Sequence, residues 1–502
     1  MELDFSSQSH FLFALLPEII LCVWGMLVLV LGVWKKEGEG GPSPSDLGVL
    51  SLVGILLAAG ANGWLYGVTQ TGGDGMVLVD RLRLFANWIF LLAGALSILI
   101  SLAYVTRQRI QAGETYSLML FAMVGMMMMG GTQNLIVIFL GLEVMSIAIY
   151  ALAAMNRRDR KSAEAGLKYF LLGAFSTGFF LYGIALFYGA SGTTDISEMS
   201  RAVVEGAVGL PLLAFGVAFL AIGFGFKVAA VPFHMWTPDV YEGAPAPITA
   251  FMATGVKAAA FVAFLRVFLV AFDSIYQTWY PILWWLAAIT MVVANLIALV
   301  QSNVKRMLAY SSIAHAGYLL VALVAANETA SAALLFYLLV YTLMNVGAFG
   351  IVIAVAHQGE DRLQIEDYAG FGWQQPLLGV FLTVFLLSLA GFPGTGGFMG
   401  KIFLLQGAVA SDLWTLAVIL VLATVFSYWY YLRVVWFMWM REAPSPDAHT
   451  SVVASLPMRV ALVSAVALIL YLGVFPGALL GLVERSVDSV SILGGSLAAL
   501  IP

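Results

Sequence analysis

Long runs of apolar residues dominate this sequence and restrict what it can fold into. A helix of about 20 apolar residues crosses the hydrocarbon core of a bilayer, and such runs follow one another along the whole 502-residue chain. Only 10% of the residues are charged, whereas soluble domains contain about 25%. The sequence therefore predicts an all-α membrane protein with no large soluble domain.

Reading the apolar runs between polar breaks predicts about fourteen membrane-spanning helices. Their ranges are 12–34, 47–68, 84–105, 115–131, 134–155, 165–190, 211–240, 247–271, 280–301, 306–326, 330–356, 376–410, 412–437 and 455–484. The first segment, Met1–His10, has acidic residues but no lysine or arginine. We therefore interpret the first apolar run as a retained helix rather than a signal peptide.

Basic residues are distributed unequally between the two predicted sides. Fourteen lie in one alternate set of loops and flanking helix ends: Lys35, Lys36, Arg107, Arg109, Arg157, Arg158, Arg160, Lys161, Lys305, Arg306, Arg362, Arg433, Arg441 and Arg459. The other set has five: Arg81, Arg83, Arg201, Arg266 and Arg485. Loops rich in lysine and arginine remain in the cytoplasm. This distribution predicts an inner-membrane protein with both termini in the periplasm.

The seventh and twelfth predicted helices contain breaks. The seventh includes Pro232 and Pro238, and the twelfth includes Pro393 within a glycine cluster. Proline removes a backbone donor and disrupts the preceding turn. Two kinked helices would explain the pattern. However, the breaks lie five helices apart, in oppositely oriented segments, which is typical of inverted-repeat transporters.

This pattern predicts two inverted five-helix repeats with flanking segments. The units are an N-terminal three-helix segment at 1–110, a first repeat at 111–275, a second repeat at 276–440, and a C-terminal helix and tail at 441–502.

Ionisable residues within predicted membrane helices are the candidate functional groups. They are Glu143, Lys168, Lys227, Lys257 and Lys401. Glu143, Lys257 and Lys401 lie about 14–15 Å from an end of their helices at 1.5 Å per residue. A charge at that depth costs at least about 2.5–3.5 kcal/mol and is normally paired, hydrated or functional.

Lysine is chemically suited to proton transfer inside a membrane. Burial favours its neutral form, and a nearby carboxylate favours its charged form. A Glu143–Lys227 pair that opens and closes would move Lys227 between holding and releasing a proton. Arginine could not do this, because it remains protonated. The alternative for each residue is a static contact that fixes helix packing.

Three further residues each allow two interpretations. Lys168 lies near the end of its predicted helix and either takes part in the path or extends to the membrane interface. His315 either relays protons or packs through hydrogen bonds. Glu18 either contacts a neighbouring subunit or is solvated at the interface. We predict no metal site, since no second histidine or cysteine lies at ligand spacing from His234.

Two long motifs resemble a known family. FKVAAVPFHMWTPDVYEGAPAPITAFMATGVKAAAF and GFPGTGGFMGKIFLL are similar to the hallmarks of the antiporter-like proton-pumping subunits of complex I, an NADH–quinone oxidoreductase. LKYFLLGAFSTG and MLAYSSIAHAGYLL also fit, and the resemblance covers essentially the whole chain. Lys257 resembles one branch of this family, because the sister branches have histidine at that position. The VYEGAPAP segment is also similar to that branch.

The resemblance implies roles for the matched residues. Glu143 would be the fifth-helix glutamate, Lys227 the seventh-helix lysine and Lys257 the connecting lysine. Lys401 would face the exit, with His315 and Lys168 also on the path. Protons would pass from cytoplasm to periplasm. NADH oxidation, FMN, iron–sulfur clusters and quinone would belong to other membrane and peripheral subunits.

The residues leave other functions to consider. A multisubunit cation/proton antiporter would share the interrupted helices, and a membrane hydrogenase or ferredoxin-linked relative would use another electron donor. A scaffold that anchors redox subunits would not require midplane lysines. The single cysteine, Cys22, cannot by itself hold an iron–sulfur cluster. We expect no bound cofactor and no nucleic-acid partner, and the predicted function is proton translocation within complex I.

Overall fold

The predicted helices are present in the computed structural model. It describes residues 8–34, 41–68, 70–72, 75–206, 210–356, 362–443, 445 and 454–498. Lys35 and Lys36, which contributed to the predicted orientation, lie outside this range, and so do the two chain ends whose side was predicted. Within it, thirteen continuous helices are long and apolar enough to cross a membrane. The predicted twelfth helix is divided into two shorter apolar helices.

The helices up to the first break are α1 Gln8–Ala14, α2 Leu16–Trp34, α3 Pro44–Leu65, α4 Arg81–Gln108, α5 Ala112–Gly130, α6 Leu135–Ala153, α7 Arg160–Ser191, α8 Ile196–Val204 and α9 Leu210–Val228. A two-stranded antiparallel hairpin, β1 Gln70–Gly72 and β2 Val77–Val79, precedes α4. We call the side with this hairpin the hairpin side and the opposite side the basic side.

The central helices follow the first break. They are α10 Thr237–Gly243, α11 Ala246–Phe251, α12 Lys257–Arg266, α13 Tyr276–Leu299, α14 Val304–Ala325 and α15 Glu328–Val355. Two π-helical turns, Met252–Val256 and Val267–Ala271, flank α12, and a short 3-10 turn, Asp273–Ile275, follows. Nearly every residue of α12, α14 and α15 is buried, so these helices form the centre of the bundle.

The remaining elements are a 3-10 turn at Ile365–Tyr368, α16 Phe371–Gln374, α17 Pro376–Ala390, α18 Gly396–Ala410, α19 Trp414–Met440, α20 Leu456–Val474 and α21 Gly477–Ala498. The predicted fourteenth helix was drawn too long, to residue 484, whereas α20 ends at Val474. Pro476 follows this end, and proline cannot supply the backbone donor that would continue a helix.

Polar side chains fix the starts of many helices. Ser43 and Asp46 form a reciprocal cap at α3, and Asp80 accepts a hydrogen bond from the backbone of Arg83 at α4. Asn134 and Asn303 cap α6 and α14 in the same way. Such caps satisfy backbone donors that the first turn of a helix leaves unpaired.

Both predicted interruptions are present. Between α9 and α10, Ala229 adopts a left-handed conformation at φ 63°, and the backbone N–H of Val231 donates to Thr290 Oγ1 at 2.9 Å. Between α17 and α18, Gly391 and Gly394 have φ of 88° and 86°, which glycine adopts without steric cost. The backbone oxygens of Leu389 and Ala390 at the second break accept hydrogen bonds from Lys401, so backbone groups at both breaks find partners inside the protein, as the membrane interior requires.

A structural feature recurs in two parts of the chain. Asn134 forms an isolated β-bridge with Asp195, and Asn303 forms one with Gln364. Each residue of the second bridge follows the corresponding residue of the first by 169 positions, since 134 corresponds to 303 and 195 to 364. The first bridge lies at the hairpin side and the second at the basic side. This geometry supports the predicted inverted repeats, whose boundaries remain a prediction.

Candidate functional site

Lys227 lies in the last turn of α9, directly before the first break. Its side chain is buried, and its Nζ donates hydrogen bonds to Ser146 Oγ at 2.7 Å and Tyr150 Oη at 3.2 Å. The Tyr150 and Tyr169 ring centroids lie 5.3 and 5.7 Å from Nζ, within the range of cation–π attraction. The ammonium group is thus surrounded by hydroxyl groups and aromatic rings.

Glu143 is half-buried and does not form an ion pair with Lys227. Its Oε1 accepts a hydrogen bond from Thr177 Oγ1 on α7 at 2.9 Å. Glu143 and Ser146 are three residues apart on α6 and therefore neighbours on its surface. The carboxylate is close to the lysine's partner along the helix, but it is oriented towards α7.

Lys168 lies at the basic side, where its side chain is 40% exposed. Its Nζ is 2.8 Å from Asp239 Oδ2 on α10 and 2.7 Å from Glu164 Oε1. Arg306 Nη1 is 2.9 Å from both Asp239 Oδ1 and Glu242 Oε2. We call these five residues the basic-side ion network. Lys168 reaches the interface and is paired there.

Opposing effects act on the carboxylates of this network. Burial alone would raise the pKa of Asp239, but hydrogen bonds from Lys168 and Arg306 outweigh it and hold this pKa below its usual range. The pKa of Glu242 is also lowered, because hydrogen bonds from Lys161 and Arg306 outweigh its burial. Both carboxylates are therefore charged at neutral pH and attach α10 to α7 and α14.

Lys257 is the first residue of α12 and is almost completely buried. Its Nζ donates to the backbone oxygen of Ser312 on α14 at 2.6 Å and also to Ser312 Oγ. The Tyr341 ring centroid on α15 lies 5.9 Å from the same Nζ, within the range of cation–π attraction. Ser312 thus joins α12 to α14, and Lys257 also lies beside the Tyr341 ring of α15.

His315 follows Ser312 by one helical turn and is fully buried. Its Nδ1 lies 2.7 Å from Tyr337 Oη, and its Nε2 lies 3.2 Å from Tyr431 Oη. A neutral imidazole has one donor and one acceptor nitrogen, and a tyrosine hydroxyl can complement either. Ser311 also bonds to Tyr431. His315 therefore belongs to a hydrogen-bonded group that can exchange donor and acceptor roles.

Lys401 lies on α18, after the second break, and is buried. Its Nζ donates to the backbone oxygens of Leu389 at 3.1 Å and Ala390 at 2.9 Å, the last two residues of α17. The Tyr318 ring centroid is 4.9 Å away. The carboxyl end of a helix has a partial negative charge, so the end of α17 stabilises the ammonium form.

The predicted residues form two buried groups rather than one continuous chain. Lys257 bonds to Ser312, which lies one turn before His315 on α14. The Tyr318 ring lies 5.3 Å from the His315 ring and 4.9 Å from Lys401 Nζ. Towards Lys227, packed aromatic rings intervene: Tyr169 and Trp236 are stacked with ring centroids 4.2 Å apart, and Trp236 and Tyr241 meet edge to face at 6.1 Å. No direct hydrogen bond joins Lys227 to Lys257 among the described contacts.

Several hydroxyl groups in this arrangement were not predicted. Ser146 and Tyr150 hold Lys227, and Tyr337 and Tyr431 hold His315. Each is a polar side chain within an apolar helix, and that is the only sequence signal that could have indicated it. Serine is common in membrane helices as a small packing residue, and tyrosine is common at their interfacial ends, so the signal identifies candidates without identifying partners.

Two arginines and Glu18 were assigned incorrectly from the sequence. Arg83 and Arg266 were counted among loop residues, but both are fully buried. Glu18 is neither solvated nor free for a neighbouring subunit, because its Oε1 accepts a hydrogen bond from Arg83 Nη2 at 2.6 Å. Asp80 similarly binds both terminal nitrogens of Arg266. Pairing of opposite charges permits this burial.

Comparison with known proteins identifies the family. Residues 132–427 match the family described as "NADH:quinone oxidoreductase/Mrp antiporter, TM". The chain is 46% identical over 486 residues to NADH-quinone oxidoreductase subunit N of Trichlorobacter lovleyi, covering 96% of this chain and 98% of the relative. The chain belongs to the subunit N family of NADH-quinone oxidoreductases. A second member, NADH-quinone oxidoreductase subunit N 1 of Solibacter usitatus, is 42% identical, and the match covers 94% of this chain and 96% of the relative.

Solved structures contain the same fold. A chain of respiratory complex I from Thermus thermophilus with bound aureothin is 35% identical, with a TM-score of 0.78, and the match covers 93% of this chain and 98% of that one. A chain of an archaeal membrane-bound sulfane sulfur reductase has a TM-score of 0.84 at 24% identity, covering 97% and 99%. At that identity the likeness shows the fold alone. The predicted antiporter-like membrane fold is confirmed.

Proposed function

We propose that this chain transfers protons from the cytoplasm to the periplasm as a membrane subunit of NADH–quinone oxidoreductase. The main observation in support is that three buried lysines, Lys227, Lys257 and Lys401, donate their hydrogen bonds to uncharged partners. A lysine without a fixed carboxylate partner can give up its proton inside a membrane, because burial disfavours its charged form. The basic side, with the ion network, would face the cytoplasm.

The hydrogen-bonded hydroxyls define the transfer steps that this chain can perform. Ser146 and Tyr150 can each accept a hydrogen bond from Lys227 and donate one onward. Lys257 can exchange with the Ser312 hydroxyl, and His315 with Tyr337 or Tyr431. Aromatic rings separate Lys227 from Lys257, so transfer between them requires mobile water. Opening of this region would control the passage of protons.

Glu143 is proposed to regulate Lys227 rather than to pair with it permanently. Its carboxylate is one helical turn from Ser146 and at present accepts a hydrogen bond from Thr177. Rotation towards Lys227 would favour the charged lysine, and return to Thr177 would favour proton release. Lys168 would serve at the cytoplasmic mouth, within the ion network.

Electron transfer is assigned to the partner subunits. Other subunits of the enzyme would bind NADH, FMN, iron–sulfur clusters and quinone. The energy of their reaction would reach this chain through conformational or electrostatic coupling. Its neighbours in the membrane are other subunits of complex I. The proposed division suits a chain with one cysteine, since cluster ligation normally uses four.

The first test is purification of the assembled complex through a tag on this chain, in mild detergent. We expect inhibitor-sensitive NADH:quinone activity to co-purify, with flavin and iron–sulfur signals. Recovery with only hydrophobic chains and no redox activity would favour the antiporter interpretation. The second test uses inverted membrane vesicles, whose interior should acidify when NADH is added. Lys257→Ala should lower proton uptake for each NADH oxidised, and an unchanged ratio at normal assembly would contradict the proposed path.

A further inference from the structure

Four charged side chains form a buried cluster at the hairpin side, away from the lysines. Glu18 pairs with Arg83, and the two oxygens of Asp80 accept hydrogen bonds from Arg266 Nη1 and Nη2 at 2.8 and 3.0 Å. Both arginines are 0% exposed, and Glu18 and Asp80 are 4% and 6% exposed. The cluster contains two balanced ion pairs and is not used by the proposed proton path.

The two pairs connect different elements. Glu18–Arg83 joins α2 to α4, and Arg83 Nη1 also donates to the backbone oxygen of Leu78 in the hairpin at 2.6 Å. Asp80–Arg266 joins the start of α4 to the end of α12, and Arg266 Nη2 also donates to the oxygen of Gly130 at the end of α5. Only the second pair reaches the helix that begins with Lys257.

The helix α12 is held by a basic residue at each end. Lys257 and Arg266 are nine positions apart, which corresponds to a rise of about 13.5 Å and about two and a half turns. Their side chains therefore leave opposite faces of the helix. Lys257 bonds to Ser312 on α14, and Arg266 bonds to Asp80. The helix thus bridges the N-terminal helices and the second predicted repeat.

The backbone hydrogen-bond pattern changes at both ends of α12. The π-helical turns Met252–Val256 and Val267–Ala271 lie immediately before and after it. Such turns accommodate an extra residue and are frequent at functional sites. Because the regular ladder is interrupted on both sides, contacts made by α12 itself help to determine its rotation and height.

We propose that Asp80 and Arg266 are positioning residues that keep the Lys257 ammonium group on Ser312. This inference rests on the proposed function of Lys257. The pair does not carry protons, because arginine remains protonated. The bidentate contact fixes both the distance and the orientation of the guanidinium, and so fixes the end of α12 that is opposite the lysine.

Three variants test this role in the complete complex. Asp80→Asn retains the size and helix-capping ability of the residue but removes its charge. Arg266→Lys retains the charge but cannot reproduce the bidentate contact. Glu18→Gln is the matched control, because it makes the same kind of change in the pair that does not contact α12. Assembly, protons translocated per NADH oxidised, and backbone hydrogen exchange are measured for each variant.

We expect Asp80→Asn and Arg266→Lys to lower the proton-to-NADH ratio by about twofold or more, because displacement of a reacting group by about 1 Å can cost up to about 100-fold in rate. Hydrogen exchange should rise in residues 252–271. Glu18→Gln should leave the ratio unchanged and raise exchange in residues 8–34 instead. If a single variant does not assemble, the Asp80→Asn/Arg266→Gln double variant, which leaves no unpaired buried charge, should show the same loss.

The outcomes separate positioning from simple stabilisation. Faster exchange in 252–271 with an unchanged ratio would overturn the positioning role, and so would an equal loss of ratio in Glu18→Gln. An unchanged ratio in Lys257→Ala would instead overturn the proposed role of the lysine. The exchange measurement would then still report whether the pair holds α12.

Discussion

The two interrupted helices hold their lysines with different chemistry. Lys227 precedes its break and donates to the hydroxyls of Ser146 and Tyr150, whereas Lys401 follows its break and donates to the carbonyl oxygens of Leu389 and Ala390. A hydroxyl can both accept and donate, but a carbonyl can only accept. The Lys227 site can therefore relay a proton through its partners, while the Lys401 site stabilises the ammonium form and must exchange its proton elsewhere.

Positions related by the 169-residue separation extend this comparison. Glu143 corresponds to Ser312, Ser146 to His315, and Lys168 to Tyr337. The first part of the chain thus has a carboxylate and an ammonium where the second has two hydroxyls. Ser312, His315 and Tyr337 all belong to the buried hydrogen-bonded group around Lys257 and His315. Two of these corresponding positions therefore carry charged side chains in the first part and neutral ones in the second, with different partners in each.

The largest effect is expected for substitutions of Lys227. They test whether proton transfer requires Lys227 to release a proton or only to carry a positive charge. Lys227→Ala should reduce proton transfer through this chain by about 100-fold or more, the lower end of the cost of losing a positioned acid–base group. Lys227→Arg should be equally defective, because it retains the charge but cannot release a proton. Proton uptake is measured in vesicles at matched amounts of assembled complex. Normal uptake with arginine would show that Lys227 has an electrostatic role only.

A second prediction tests what happens when the carboxylate of the first part of the chain is introduced at the corresponding position of the second part. Ser312→Glu places a carboxylate beside Lys257 at the position that corresponds to Glu143. It should slow proton transfer by about tenfold or more, because an adjacent opposite charge stabilises the ammonium by at least about 1.4 kcal/mol. Ser312→Gln, of the same size but uncharged, is the control. Equal slowing in both variants would indicate that bulk, not charge, is responsible.

A third prediction concerns the tyrosines that hold His315. Tyr337→Phe and Tyr431→Phe each remove one hydrogen bond to the imidazole while preserving the ring. Each should slow transfer by about fivefold, corresponding to about 1 kcal/mol for one hydrogen bond. The rate of proton uptake is compared with that of Tyr471→Phe on the outer helix α20, where the ring is exposed. Wild-type rates in both inner variants would remove His315 from the path and leave it a packing residue.

The smallest effect is expected at Lys168. Its contacts with Asp239 and Glu164 are partly exposed, and such pairs contribute about 0–1 kcal/mol. Lys168→Ala should therefore change proton uptake by less than about threefold, and salt should weaken the difference. Measurement at low and high ionic strength tests this. A loss as large as that of Lys227→Ala would require Lys168 to carry protons itself.

The sequence predicted the class of fold well because it depends on local pattern. Apolar runs specify the helices, polar caps fix the starts of many of them, and proline and glycine specify the two interruptions. The burial of Lys227, Lys257 and Lys401 followed from their depth within these runs. The extent of α20 was less predictable, because apolar residues continue beyond Pro476, which marks its break from α21.

The sequence by itself determined which charges enter the membrane, since an ionisable residue in an apolar run is carried there by its own helix. Only the tertiary structure decided which group each charge contacts. Glu143 bonds to Thr177, and Asp80 bonds to Arg266, 186 positions away. The physical reason is that a side-chain contact depends on the rotation and crossing of whole helices. Residues in many distant parts of the chain determine that packing together.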